Sequence, residues 1–133
     1  MVVPEIVSHN ATVASPRVLV AEDDEVLRET VAELLRLEGY RVETVANGAL
    51  ALDALARSRP AVVLLDMKMP IMDGWELARE MKARDLHVPV VVMTGAPDPF
   101  YAAAAIRADG WLGKPFKLKE LLPAIERVCA SAT

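Results

Sequence analysis

Cysteine occurs once, at Cys129, so no internal disulfide can form. A lone thiol, read as packing rather than a reactive group, fits a reducing, cytoplasmic setting. Histidine is nearly as scarce: His9 lies in the amino-terminal stretch, His87 in a loop, and neither is assigned a role. No apolar stretch approaches the roughly 20 residues that a membrane span needs. Basic clusters are missing too; the net charge is −4, which argues against direct nucleic-acid binding. Met1 to Pro16 lacks the basic start and apolar centre of a signal peptide. Residues 1–16 therefore read as a flexible extension, with docking of Val2-Val3 and Ile6-Val7 on a sheet edge as the alternative. There are no internal repeats and no low-complexity linkers.

What remains is an ordinary globular mix, 53% hydrophobic and 26% charged over 133 residues. That is one domain, able to bury roughly two-thirds of its unfolded surface. Its informative feature is where the apolar runs stop. Ala61-Val62-Val63-Leu64-Leu65 ends in Asp66, and Val18-Leu19-Val20-Ala21 in Glu22-Asp23-Asp24. Val90-Val91-Val92-Met93 ends in Thr94-Gly95, and Gly110-Trp111-Leu112-Gly113 in Lys114-Pro115. Ligands of an open parallel α/β sheet bind beyond the carboxyl ends of its strands. As strands of one such sheet, these runs bring Glu22, Asp23, Asp66, Thr94 and Lys114 to one pocket, suited to a divalent cation and a phosphoryl group.

Short apolar runs alternating with longer amphipathic segments predict a doubly wound five-stranded parallel sheet with five helices, flavodoxin-like. Strands are expected at Arg17–Ala21, Tyr40–Ala46, Ala61–Leu65, after Pro89, and at Gly110–Gly113. Leu27, Val31, Leu34 and Leu35 share a face of the first helix, which Gly39 stops. Asn47 caps the second helix, Asp73-Gly74 opens the third, and Asp98 to about Arg107 forms the fourth. Lys117–Ala130 is the last helix, and Pro123 should kink it or move its first-turn boundary later.

Each polar residue has a plainer reading. Asp23 or Asp24 can simply cap the first helix, where its dipole favours acids. Cap and ligand are compatible, because three acids are present and a cap needs one. Asp66 can cap a turn, but Pro70 and Asp73-Gly74 already supply turn and cap, which frees Asp66 for chemistry. Thr94 can be a strand-end hydroxyl bonded to backbone. Lys114 can be a solvated lysine, although an apolar strand and Pro115-Phe116 flank it, and its X-Pro bond is a candidate for the cis form.

Taken together, Glu22-Asp23, Asp66 with Met69-Pro70-Ile71-Met72-Asp73-Gly74, Thr94-Gly95, Trp111 and Lys114-Pro115-Phe116 resemble the receiver domain of two-component response regulators. The resemblance covers Arg17 to about Ala130, and residues 17–131 are taken as the receiver domain. It implies that Asp66 accepts a phosphoryl group from a histidine kinase or phosphotransfer protein. It further implies that Mg²⁺ is bound by Asp23, Asp66 and the Lys68 backbone carbonyl, with Glu22 assisting through water. Lys114 and Thr94 would contact phosphoryl oxygens, and Thr94 with Trp111 would form the switch. The partner face would then comprise Asp98–Arg107, Gly110–Gly113 and Lys117–Ala130, with Trp75 lying away from it.

Departures from the family's usual pattern are Arg107, where a small residue is common, the nearly uncharged Ala102–Ala105 helix, Lys68, and Leu50 on an outer helix face. With nothing after the last helix, output is expected through a partner protein unless the chain is a piece of a longer one. Two rivals are a never-phosphorylated docking module and a haloacid-dehalogenase-type phosphatase. The latter needs a second acid where Lys68 stands.

Overall fold

The protein is described from a computed structural model covering residues 15–131. The expectation for residues 1–14, including Val2-Val3 and Ile6-Val7, lies outside the described residues. Five strands alternate with five helices: β1 Arg17–Ala21, α1 Glu25–Leu37, β2 Arg41–Val45, α2 Gly48–Arg57, β3 Val62–Asp66, α3 Gly74–Ala83, β4 Val90–Thr94, α4 Pro99–Ile106, β5 Gly110–Gly113 and α5 Leu118–Ser131. All strands are parallel, in the order β2-β1-β3-β4-β5.

Both faces of the central strands are buried, which explains why β3 and β4 read as unbroken apolar runs. One core layer packs Leu55 of α2, Leu77 of α3 and Ala102 of α4 against Leu19, Leu65 and Val92. The other packs Leu35 of α1 with Leu121 and Ile125 of α5 against Val18, Val20 and Leu64. Each CH₂ removed from water contributes about 0.8 kcal/mol, so these two layers are the main source of stability.

Local chemistry sets the ends of the elements. Asp24, Asn47, Asp73 and Asp98 each accept a backbone N–H from the first turn that follows. Asp73 and Glu76 form a reciprocal capping box at the start of α3. Gly39, at φ +98°, turns the chain from α1 into β2. In the last helix, Pro123 does not set the first-turn boundary later, one of the two outcomes expected for it. The helix starts at Leu118, held by Lys117 N–H to Glu120 Oε1 (2.8 Å), and runs through Pro123. Pro123 is exposed, so the carbonyl it leaves without a helical donor can turn to water.

Strand β3 also runs one residue further than expected. Asp66 is its last member, paired with Met93 of β4, rather than the first residue past it. The register carries the consequence. Ala21 pairs with Leu65, Asp66 with Met93 and Thr94 with Gly113, so Glu22, Asp66, Thr94 and Lys114 step along one edge of the sheet.

Candidate phosphoacceptor site

Glu22 follows β1, the neighbour of the central strand β3, and is 1% exposed. Its Oε1 lies 2.6 Å from the Lys114 ammonium, and Oε2 accepts the Asp24 N–H at 3.0 Å. Asp66 is 4% exposed; its Oδ1 sits 3.4 Å from the same ammonium and accepts the Lys68 N–H at 3.3 Å. Asp23 is exposed at the cleft. Carboxylate oxygens of Glu22, Asp23 and Asp66 all lie within 4.8 Å of one another. Thr94 is buried, and its Oγ1 accepts the Ala96 N–H at 3.1 Å, the backbone-bonded arrangement. Lys114 N–H donates to the Thr94 carbonyl at 2.8 Å, and the Lys114–Pro115 bond is cis.

The electrostatics of this cluster are unbalanced. Three carboxylates face one ammonium. The Asp66 carboxyl is pushed up to about 7, first by burial and then by the Glu22 charge. Lys114 and the Lys68 N–H pull it the other way. Burial works against the charge on Lys114, but its bond to Glu22 and the charges of Asp66 and Glu22 outweigh it, raising its pKa. A site this acidic, built from hard oxygen donors, fits a divalent cation of the magnesium type. The fit rests on the donor set and its uncompensated charge.

All the predicted site residues except the switch aromatic line one cleft of about 830 Å³. Trp111 stands outside it. The ring is 47% exposed and packs edge-on against Phe100, centroids 5.0 Å apart. Asp24 also lines the cleft, but its Oδ1 is engaged by the Leu27 N–H at 3.0 Å as the α1 cap.

Trp75 requires a correction. It does not lie away from the α4 face; its ring packs against Tyr101 of α4 at 6.4 Å, and both rings line the cleft. The physical reason is the short β3–α3 connection. A Cβ on Gly74 would stand 2.9 Å from the Asp66 carbonyl oxygen, so only glycine lets α3 begin this close to β3. Trp75, one residue on, is thereby pinned beside the cleft. Sequence reasoning missed both aromatics as cleft residues. The available signal was their position in the first turns of helices that start at the carboxyl edge.

A response-regulator receiver-domain family matches residues 18–126, most of the chain. This chain is a response-regulator receiver domain. The response regulator MprA of Mycobacterium sp. (strain KMS) is 39% identical over 108 residues, covering 80% of this chain and 47% of the relative. The chain spans about half the length of the curated relatives it matches. Among solved structures, the receiver domain of the sensor histidine kinase PA1611 from Pseudomonas aeruginosa, with magnesium coordinated in its active-site cleft, superposes with a TM-score of 0.80. It is 30% identical and aligns over 88% of this chain and 99% of that one. The chemotaxis protein CheY4 of Vibrio cholerae is 33% identical, with a TM-score of 0.79 over 86% of this receiver and 99% of that chain. Membership in this two-component signalling family removes the phosphatase reading. No helix among the described residues is long and apolar enough to cross a membrane.

Proposed function

We propose that Asp66 is the phosphoacceptor of a cytoplasmic phosphorelay, taking its phosphoryl group from a histidine kinase or phosphotransfer protein. The single observation that carries this is the convergence of Glu22, Asp23 and Asp66 on one edge with Lys114 against two of them. Asp23, Asp66 and the Lys68 carbonyl are the proposed ligands of Mg²⁺, with Glu22 acting through water. Bound there, Mg²⁺ supplies charge neutralisation, the main help that phosphoryl transfer needs.

The rest falls to the protein's own groups. Asp66 supplies the attacking oxygen, and it is active only as the carboxylate. Lys114 holds a point charge beside that oxygen, where a transferred phosphoryl group would sit. The Thr94 hydroxyl, now turned to the Ala96 N–H, is the group that would rotate to meet it. Trp111 would follow, and the face made by α4, β5 and α5 would change its apolar surface for a downstream protein target. Residues 17–131 act as the unit of this switch, without direct contact to nucleic acid or membrane. The presence of Glu22, Asp23, Asp66, Thr94 and Lys114 together argues against a never-phosphorylated docking module.

The test is incubation with acetyl phosphate and Mg²⁺, followed by intact-mass measurement. The wild type should gain one base-labile phosphoryl group and Asp66→Asn none. Equal labelling of the variant refutes the assignment.

A further inference from the structure

Glu22, Asp23, Asp66, Thr94 and Lys114 supply only part of the lining of the 830 Å³ cleft. A phosphoryl group and the few waters around a cation, at about 30 Å³ each, leave much of it unused. The rest of the lining includes Met67, Ala96, Pro97 and Ala102, with Asp98 engaged as the α4 cap, and it carries Trp75 and Tyr101. The chain has only two Trp, two Tyr and two Phe, so one-third of its aromatics meet at this cleft. Their placement is fixed by backbone. Gly74 N–H donates to the Met67 carbonyl at 3.1 Å, and Tyr101 N–H to Asp98 Oδ1 at 3.3 Å. Neither ring is closed off: Trp75 is half-buried, and Tyr101 is 68% exposed.

We propose that Trp75 and Tyr101 form a ring-binding wall that selects phosphodonors whose leaving group is a flat imidazole. This rests on the reading of Asp66 given above. An N-phosphorylated imidazole carries a proton on its free nitrogen near neutral pH, making the ring a flat cation. Such a ring stacks on Trp and Tyr by shape and by attraction to the π face. An acyl phosphate presents no ring and gains nothing from the wall. In the step itself the P–N bond breaks as a P–O bond to the Asp66 carboxylate forms. The ring leaves as neutral imidazole, keeping the proton on its other nitrogen.

The experiment compares phosphoimidazole with acetyl phosphate as donors to the full chain in Mg²⁺, for wild type, Trp75→Ala, Trp75→Phe and Tyr101→Ala. Thermal melts accompany each variant; Tyr101 is exposed enough that its truncation should leave the fold intact. The half-saturating concentration of phosphoimidazole should rise about five-fold in Trp75→Ala and Tyr101→Ala, the effect of one ring–cation contact. Acetyl phosphate should be unaffected, and Trp75→Phe should keep most of the selectivity. Equal losses with both donors mean the pair acts only as a strut between α3 and α4, which overturns the proposal. No loss with either donor overturns it as well. A wild type that takes up no phosphoryl group from either donor, or Asp66→Asn that does, refutes the Asp66 reading itself and the proposal with it.

Discussion

At the residue scale, the chemistry is governed by one buried carboxyl with too little compensating charge. Asp66 has an ordinary value of 3.8 and is pushed up to about 7. In EDTA, below about pH 4, it is neutral in both folded and unfolded chains and carries no penalty. As pH rises the unfolded carboxyl ionises first, so stability is lost until the folded one ionises near 7. Asp66→Asn has no proton to lose. Its melting temperature should pull ahead of the wild type between about pH 4 and 7 and keep a level lead above that. A gap that stays constant over this window would mean Asp66 is not held neutral by burial and Glu22. The neighbouring acids separate by partner. Asp24 is occupied as the α1 cap, and Asn caps as well as Asp, so Asp24→Asn should leave Mg²⁺ affinity nearly unchanged. Asp23→Asn should weaken it about ten-fold or more, ~1.4 kcal/mol, by fluorescence titration through Trp75 in the cleft. Equal affinities for the two variants would contradict the ligand assignment.

At the element scale, the sequence was most readable where a single residue type decides a boundary. Asn47 and Asp73 were legible as caps because their side chains replace a backbone acceptor locally. Pro123 was less so, because the cost of a helical proline depends on whether the freed carbonyl reaches solvent, a tertiary matter. Arg107 combines both. It ends α4 in the left-handed region at φ 57°, ψ 44°, where a Cβ costs roughly 1–2 kcal/mol. Arg107→Gly removes that strain but frees the unfolded chain, giving back roughly 0.5–1 kcal/mol. The net expectation is a gain of about 0.5–1 kcal/mol. A higher urea midpoint with an unchanged slope would register it. A lower midpoint would show that the Arg107 side chain makes a stabilising contact that outweighs the backbone strain.

At the scale of the whole molecule, the site edge was legible because four strand ends carried its chemistry, and parallel register aligns strand ends. The sideways contacts of the helices were not, since which helices touch is set by strand order and crossing, not by local spacing. Hence Trp111 was legible as the β5 aromatic of the expected partner face, while the packing of Trp75 on Tyr101 was not foreseen. Helix α4 therefore holds an aromatic contact on each side, Tyr101 to Trp75 and Phe100 to Trp111. A phosphoryl group that draws Thr94 out of its bond to Ala96 acts on the loop leading directly into α4. Interior packing does not deform smoothly, so that helix should shift as a body between two arrangements. Driving such a switch from 1:99 to 99:1 takes about 5.5 kcal/mol of differential interaction. Both tryptophans should then respond, and Trp111, turning from a half-exposed position inward, should respond more. Acrylamide quenching of Trp75→Phe, which reports Trp111, should fall clearly on adding beryllofluoride with Mg²⁺. Quenching of Trp111→Phe, which reports Trp75, should change by a smaller amount. A response at Trp75 alone would place the movement in the cleft without transmission to β5, and the partner face would have to be sought elsewhere.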